Sequence, residues 1–369
     1  MRARISVFVA IVQSIVLLVH LVLYGTWEFF LAPLDSSHRV SLRLSLAILC
    51  FSFVAASMLA RQYSNWLVRT VYTLAAVWLG LVSFFFLAAC LCWLTYLVPL
   101  MFQIQMDRRK LAFVVFGVAS LLALYSIFHA TRTRVTRVSI RLPNLPLSWR
   151  GRTAALVSDL HLGHIRNRRF LRRIVGMLSR LQPDILFIPG DLFDGTQVHQ
   201  QRLAEPWAEF SAPLGAYFVT GNHEQFSSPD QYLEVVKRSG MRVLQNEKID
   251  VDGLQIVGIH YRDSTNPERC RSILKNAGLD PAVASILLIH TPDRMPVASQ
   301  EGISLQLSGH THRGQFFPFT MFVSRVYGRY AYGLNRLENL LIYTSCGAGT
   351  WGPPMRLGTT PEIVLIRFE

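Results

Sequence analysis

Five short polar clusters carry the side chains that could do chemistry: Asp159-Leu-His161, Gly190-Asp191-Leu-Phe-Asp194, Gly221-Asn222-His223-Glu224, a solitary His290, and Gly309-His310-Thr-His312. Carboxylate, imidazole and amide oxygen are hard-to-borderline ligands. They suit manganese, iron, zinc or magnesium rather than copper(I) or an iron–sulfur cluster. Alternation in Asp-x-His and His-x-His puts both side chains of a pair on one face of an extended segment. These donors outnumber the ligands of one tetrahedral ion; two ions about 3.5–4 Å apart, bridged by a carboxylate, would use them all. Glycine beside the ligands lets the backbone turn sharply and lets a phosphate come close. Taken singly, an Asp-x-His is usually a surface accident, a Gly-Asn-His a turn, and a lone histidine part of a core. The ordered combination is what points to a site.

The elements that must position these residues are short apolar runs. Ala154–Val157, Ile185–Ile188, Ala216–Val219, Ile286–Ile289 and Leu305–Leu307 each directly precede one cluster. Further strands are expected at Leu254–Ile259, Leu340–Tyr343 and Ile363–Ile366. Helices are expected at Arg166–Leu181, Leu203–Phe210 and Pro229–Ser239. Alternating strands and helices, then a strand-richer half, predict a layered α/β domain with its ligand site at the carboxyl edge of the strands.

The ordered set D-x-H, G-D-x-x-D, G-N-H-E, H, G-H-x-H resembles the calcineurin-like metallophosphoesterase family, over about residues 153–368. A tail of Gly347-Ala-Gly349, Pro354-Met-Arg356 and Pro361-Glu-Ile363 is similar to the family's membrane-anchored bacterial branch. The resemblance implies a four-layer α/β/β/α sandwich and two divalent ions, manganese first, with iron, zinc or magnesium as alternatives. It implies that Asp159, His161 and His312 hold one ion, that Asn222, His290 and His310 hold the other, and that Asp191 bridges them. His223 is then no ligand but the donor of a proton to the leaving oxygen, oriented by Asp194. Water is the nucleophile, and no covalent enzyme intermediate is needed. Arg313 and Arg356 are the expected contacts to phosphoryl oxygens, since a guanidinium fork suits them. Arg313 stands where that branch commonly has glycine, so it either touches phosphate or points to solvent. A degenerate sensor or scaffold on the same fold is the alternative; it would be expected to lack a ligand, and none is missing.

The remainder of the 369-residue chain is of another kind. Hydrophobic residues make up 51% of it and charged residues only 16%. This excludes disorder and, with roughly 25% charged residues usual in water, predicts that part of it lies in a bilayer. The five cysteines, three of them in apolar runs, make no disulfide framework. Uncharged stretches at about 5–27, 44–60, 70–97 and 111–131 predict four spans within residues 1–131, the third stopped by Pro99. Residues 132–152 read as a basic linker and 153–369 as the catalytic domain. No acid lies in mid-span, which favours an anchor over a transport path.

The net charge of +14 resides mostly in the first 150 residues, with 14 Lys plus Arg against three acids. Flanking apolar runs, that excess reads as membrane topology and not as a nucleic-acid footprint. Nine flanking Lys/Arg fall on one side and five on the other, which predicts a multi-pass inner- or plasma-membrane protein with its catalytic domain in the cytoplasm. The tether favours a lipid or nucleotide–lipid phosphate as substrate, a UDP-diacylglucosamine-type pyrophosphate being one candidate, and the phospholipid bilayer as partner. The stretch Phe316–Tyr332, rich in aromatics and containing Arg325 and Arg329, reads either as a hairpin packing its own core or as a segment at headgroup level. Arg166, Arg168, Arg169, Arg172 and Arg173 likewise read as a lipid contact or as a solvated helix face. Oligomeric state is not legible.

Overall fold

A computed structural model describes residues 2–32, 34–226 and 229–369. Met1, the first residue of the expected anchor, lies outside them. The chain divides into two compact units, one of residues 1–128 with 352–355, the other of residues 129–351 with 356–369.

The first unit is helical: α1 (Arg2–Phe30), α2 (Ser36–Ala60), α3 (Trp66–Met101) and α4 (Arg108–His129). All four are long and apolar enough to cross a membrane. The helices outrun the uncharged stretches because their ends are capped. Asp35 accepts the main-chain N–H of His38 at 2.8 Å, and Asn65 that of Val68 at 2.9 Å, each satisfying a first-turn donor. Arg39 and Arg69 therefore lie on first turns, and Arg43 about a turn further into α2, not in loops. Helix α3 also continues through Pro99 to Met101, contrary to the expected stop. So near a C-terminus, proline forfeits one hydrogen bond and is tolerated. Buried polar groups pair between helices: Trp78 Nε1 donates to His20 Nε2 at 3.1 Å and Trp93 Nε1 to Thr26 Oγ1 at 2.9 Å.

The second unit runs β1 (Arg134–Ile140), β2 (Thr153–Leu156), α5 (Arg168–Leu181), β3 (Ile185–Pro189), α6 (Gln200–Ala204), β4 (Ala216–Val219), α7 (Pro229–Arg238), β5 (Arg242–Val243), β6 (Glu247–Val251) and β7 (Leu254–Gly258). It continues with α8 (Tyr261–Ser264), α9 (Pro267–Asn276), β8 (Ser285–Leu288), α10 (Met295–Gln300), β9 (Leu305–Ser308), α11 (Phe319–Tyr327), β10 (Gly333–Leu337), β11 (Leu340–Thr344) and β12 (Glu362–Phe368). Two six-stranded sheets form, in the orders β1-β12-β2-β3-β4-β5 and β10-β11-β9-β8-β7-β6.

Strand alternation decides the layers. Leu156, Ile185, Phe187, Ile286, Leu288, Leu305 and Val364 turn inward and fill the space between the sheets. Their neighbours Ala155, Leu186 and Ile188 face the opposite way, onto the α5 stripe Leu171, Ile174, Val175 and Leu178. Leu287 and Ile289 pack on Cys270 and Leu274 of α9. The result is the expected α/β/β/α sandwich.

One sequence expectation fails here. Residues 132–152 are not a linker. Residues 134–140 form β1, which pairs in parallel with β12 along its whole length. Only Ile140 of this strand is buried, and Arg134 and Arg137 lie on it. A charged edge strand protects a sheet from further pairing, and the same charges hide it from a hydrophobicity reading.

Candidate metal centre

Strands β2, β3 and β4 are mutually parallel, as are β7, β8 and β9. Their carboxyl ends therefore share one edge of the sandwich. Asp159, Asp191 and Asn222 leave the first sheet there, and His290 and His310 leave the second. The loops make sharp turns. Asp159, His161, Asp191, His310 and His312 all have left-handed φ, between 47° and 70°. Such backbone costs about 1–3 kcal/mol per residue and clusters at functional sites. Glycine is required at two of the closest approaches: a Cβ at Gly221 would collide with the Asp191 carboxylate, and one at Gly309 with Asp159 and Ser158.

The donor atoms converge in three overlapping groups: Asp159, His161 and His312; His161, Asp191 and His223; and Asp191, His290 and His310. Asn222 Oδ1 lies 3.0 Å from both His290 Nε2 and His310 Nδ1, which are 3.2 Å apart. His161 Nε2 and His312 Nε2 approach to 2.9 Å. Asp191 Oδ2 faces both groups, 3.2 Å from His290 Nε2 and 3.8 Å from His161 Nε2.

These residues fit a pair of cations. Burial, helped by nearby positive charge, pushes His310 down to about 3 and His161 and His312 well below their ordinary value. They are neutral imidazoles whose lone pairs crowd one another, an arrangement that a cation between them relieves. His161 Nδ1 is buried and has no protein partner. Burial drives the Asp159 carboxyl up to about 6; His290 opposes that rise and Asp191 reinforces it. Burial opposes charge on His290 too, but Asp191 and Asp159 outweigh it and raise the imidazole to about 10. Burial would also raise Asp191; the charges of His290 and His223 outweigh it and hold that carboxylate low. A divalent ion in the cluster would take over from the His290 proton the neutralisation of these buried carboxylates. The pivot of His290 is also set: its Nδ1 donates to the Pro189 carbonyl at 2.7 Å, which turns Nε2 toward the cluster, where a cation would take the place of its proton.

Two expectations about individual residues need correction. Asp194 does not orient His223 through its carboxylate. His223 Nδ1 donates to the Asp194 main-chain carbonyl at 2.8 Å, while Asp194 Oδ1 accepts from the Thr196 N–H and hydroxyl at 2.8 and 2.6 Å. Arg356 is no phosphate contact. It is fully buried, and its guanidinium donates to the carbonyls of His312, Cys346 and Gly349 at 2.9, 2.8 and 2.7 Å. It ties the His312 loop to the loop after β11. Arg313 is exposed, and its guanidinium lies 4.7 Å over the Tyr332 ring. Its φ of 51° explains why glycine suits that position.

The basic helix face is likewise engaged within the fold. Arg168 and Arg172 pair with Glu205 and Glu209. Arg166 is buried and donates to Thr350 and the Ala130 carbonyl.

Sequence reasoning placed Glu224 in a motif but gave it no role. Its buried carboxylate accepts three main-chain N–H groups, from Gly221 at 2.7 Å, Asp191 at 3.0 Å and Phe193 at 3.2 Å, and so clamps the loops after β3 and β4 together. Its position beside His223 in Gly-Asn-His-Glu was the available signal. Tyr261 and Tyr327 were missed; their rings lie 5.9 Å from His290 and 6.4 Å from His310.

Residues 153–314 match the profile of the calcineurin-like phosphoesterase family. A transmembrane protein with metallophosphoesterase domain from Danio rerio is 30% identical over 89% of this chain and 79% of its own length. An uncharacterized metallophosphoesterase from Aquifex aeolicus is 31% identical over 68% of this chain and 98% of its own. Among solved structures, a dimetal phosphatase from Danio rerio superposes with a TM-score of 0.36 at 12% identity, over 54% of this chain and 88% of that one. A two-sheet sandwich with histidine and carboxylate donors at one edge defines a metal-dependent phosphoric ester hydrolase. The chain belongs to the calcineurin-like metallophosphoesterase family, and it carries four membrane-type helices ahead of that domain.

Proposed function

We propose that this protein is a membrane-anchored dinuclear phosphoesterase that hydrolyses a phosphate ester or pyrophosphate bond of a lipid or lipid-linked substrate. The observation that carries the reading is the Asp191 carboxylate facing both donor groups. Asp159, His161 and His312 would hold one divalent ion, and Asn222, His290 and His310 the other, with Asp191 common to both. Two ions so held supply Lewis-acid polarisation and activation of water at neutral pH; manganese is the favoured metal.

The chain's own residues do the rest. His223 has its Nδ1–H fixed on a carbonyl, so its Nε2 is the atom available to give a proton to the leaving oxygen. Phe226 and Trp351 flank that imidazole, with ring centroids at 4.7 and 5.7 Å. Both are about half exposed, at 48% and 49%. A leaving group departing past His223 meets aromatic walls, which suits an apolar alcohol or a lipid phosphate.

Full-length protein in detergent, loaded with manganese, is expected to hydrolyse p-nitrophenyl phosphate or its bis ester, and to turn over a lipid-linked pyrophosphate such as UDP-diacylglucosamine faster. Hydrolysis of the chromogenic esters with none of any lipid phosphate would overturn the lipid assignment. No hydrolysis at all would overturn the enzyme.

The catalytic domain is proposed to be cytoplasmic, from the nine-to-five bias of flanking Lys/Arg. A green fluorescent protein fused after Glu369 should fluoresce, and alkaline phosphatase fused there should be inactive. The opposite pair of results would invert the topology.

A further inference from the structure

Large apolar side chains are seldom left in water in one contiguous group. Among the described residues of 129–369, nine are exposed, and six of them (Phe317, Phe319, Met321, Phe322, Val326 and Leu334) lie within 18 consecutive positions; Phe226 and Trp351 beside His223 are two more. The six centre on α11, which has no buried residue at all. This helix is neither the hairpin nor the self-packed core that the sequence allowed. Phe319, Phe322 and Val326 recur at helical spacing and form one stripe, exposed by 43%, 65% and 74%. Between Arg313 and Leu337 the chain carries Arg313, Arg325, Arg329 and Arg336 and no acid. The inner end of the helix reaches the candidate metal centre, where Tyr327 stands against His310.

We infer that α11 is an interfacial helix that seats its Phe319–Phe322–Val326 stripe in the bilayer and so holds the mouth of the metal centre at the depth of lipid headgroups. The occupant of the face is lipid for three reasons. The same chain carries four membrane-type helices, and only four residues separate α4 from β1, so the chain ties this domain closely to the segment that would lie in a bilayer. The arginines around the stripe complement anionic headgroups. A short helix with an apolar stripe and a basic flank lies in the interface plane with its apolar side at the acyl boundary. The inference rests on the lipid-substrate reading only for its consequence on turnover; the docking itself is independent of which ester is cleaved.

The test uses the full chain in nanodiscs containing anionic phospholipid. A spin label is placed on the stripe at Phe322→Cys, on a Cys90→Ala background because Cys90 is exposed, with Lys275→Cys on α9 as the reference. The Phe322 label is expected to relax faster with oxygen than with a water-soluble nickel chelate, and the Lys275 label the reverse. Equal nickel accessibility at the two positions overturns the proposal. So does concentration-dependent spin–spin broadening at position 322, which would mean that a second copy covers the face. A Phe322→Ser, Val326→Ser double variant should lose about tenfold in turnover of a vesicle-embedded lipid phosphate while hydrolysing p-nitrophenyl phosphate at the unaltered rate. A parallel loss on the soluble ester would overturn the docking role, because α11 would then be shaping the site itself. If the lipid-substrate reading alone is wrong, the label at position 322 still reports burial in lipid, so the two failures are distinguishable.

Discussion

Asp191→Asn is expected to abolish hydrolysis and to bring the metal content below one ion per chain. Among the described residues, the carboxylate of Asp191 is the group that faces both sets of donors, at 3.2 Å from His290 Nε2 and 3.8 Å from His161 Nε2. An amide of the same shape keeps the packing but removes the charge shared between the two positions, so both sites weaken together. It also places an NH2 or a neutral oxygen against imidazoles whose lone pairs already crowd. The other carboxylate oxygen accepts the His223 N–H at 2.9 Å, so the loop that carries Asn222 and His223 loosens as well. Losing one preorganised electrostatic contact typically costs about 10²–10³-fold in turnover. A residue common to both ions should exceed the upper figure. The check is metal analysis of the purified variant beside turnover of p-nitrophenyl phosphate. Retention of two ions and near-normal turnover would remove Asp191 from the bridging role.

The second large effect is expected at His223, and it separates catalysis from metal binding. His223→Asn should keep both ions and lose about 10²–10⁴-fold in kcat, the usual contribution of a general acid. The loss should be greatest for an alkyl leaving group, which cannot depart without a proton. It should be smaller for p-nitrophenolate, which needs little protonation. His223 also lies within ligand range of His161 and Asp191, so the geometry alone permits a metal role, and metal analysis of the variant decides between the two. Equal losses on both leaving groups would point to phosphate binding, and loss of an ion would make His223 a ligand. Asp194→Asn should matter much less than a carboxylate–histidine pair would suggest, because the bond that fixes His223 comes from the Asp194 main chain.

Much of this protein was legible in its sequence because the relevant physics is local. The ligand types sit in short clusters, each straight after an apolar strand, and those short-range patterns name the candidate donors and their strand ends without a structure, although the backbone at both members of the Asp-x-His and His-x-His pairs is left-handed and not extended as their spacing suggested. The four membrane-type helices announce themselves as uncharged runs of adequate length.

Other features depend on neighbours far away in the chain. The linker-like segment 134–140 becomes an edge strand only because β12, more than 200 residues later, pairs with it. Arg356 looked like a phosphate contact by residue type, yet tertiary burial commits its guanidinium to the carbonyls of His312, Cys346 and Gly349. Glu224 clamps two loops through main-chain N–H groups, which carry no sequence signal of their own. The left-handed backbone at Asp159, His161, Asp191, His310 and His312 is intrinsically unfavourable, so no local propensity could predict it; it is held by the strands that deliver those loops. The sequence alone determined which atoms are available to hold metal and what kind of chain carries them. Only the tertiary structure decided which charges are spent inside the fold and which apolar face, that of α11, is left exposed, because hydrogen-bond partners and burial are settled by contacts between residues that the chain itself keeps far apart.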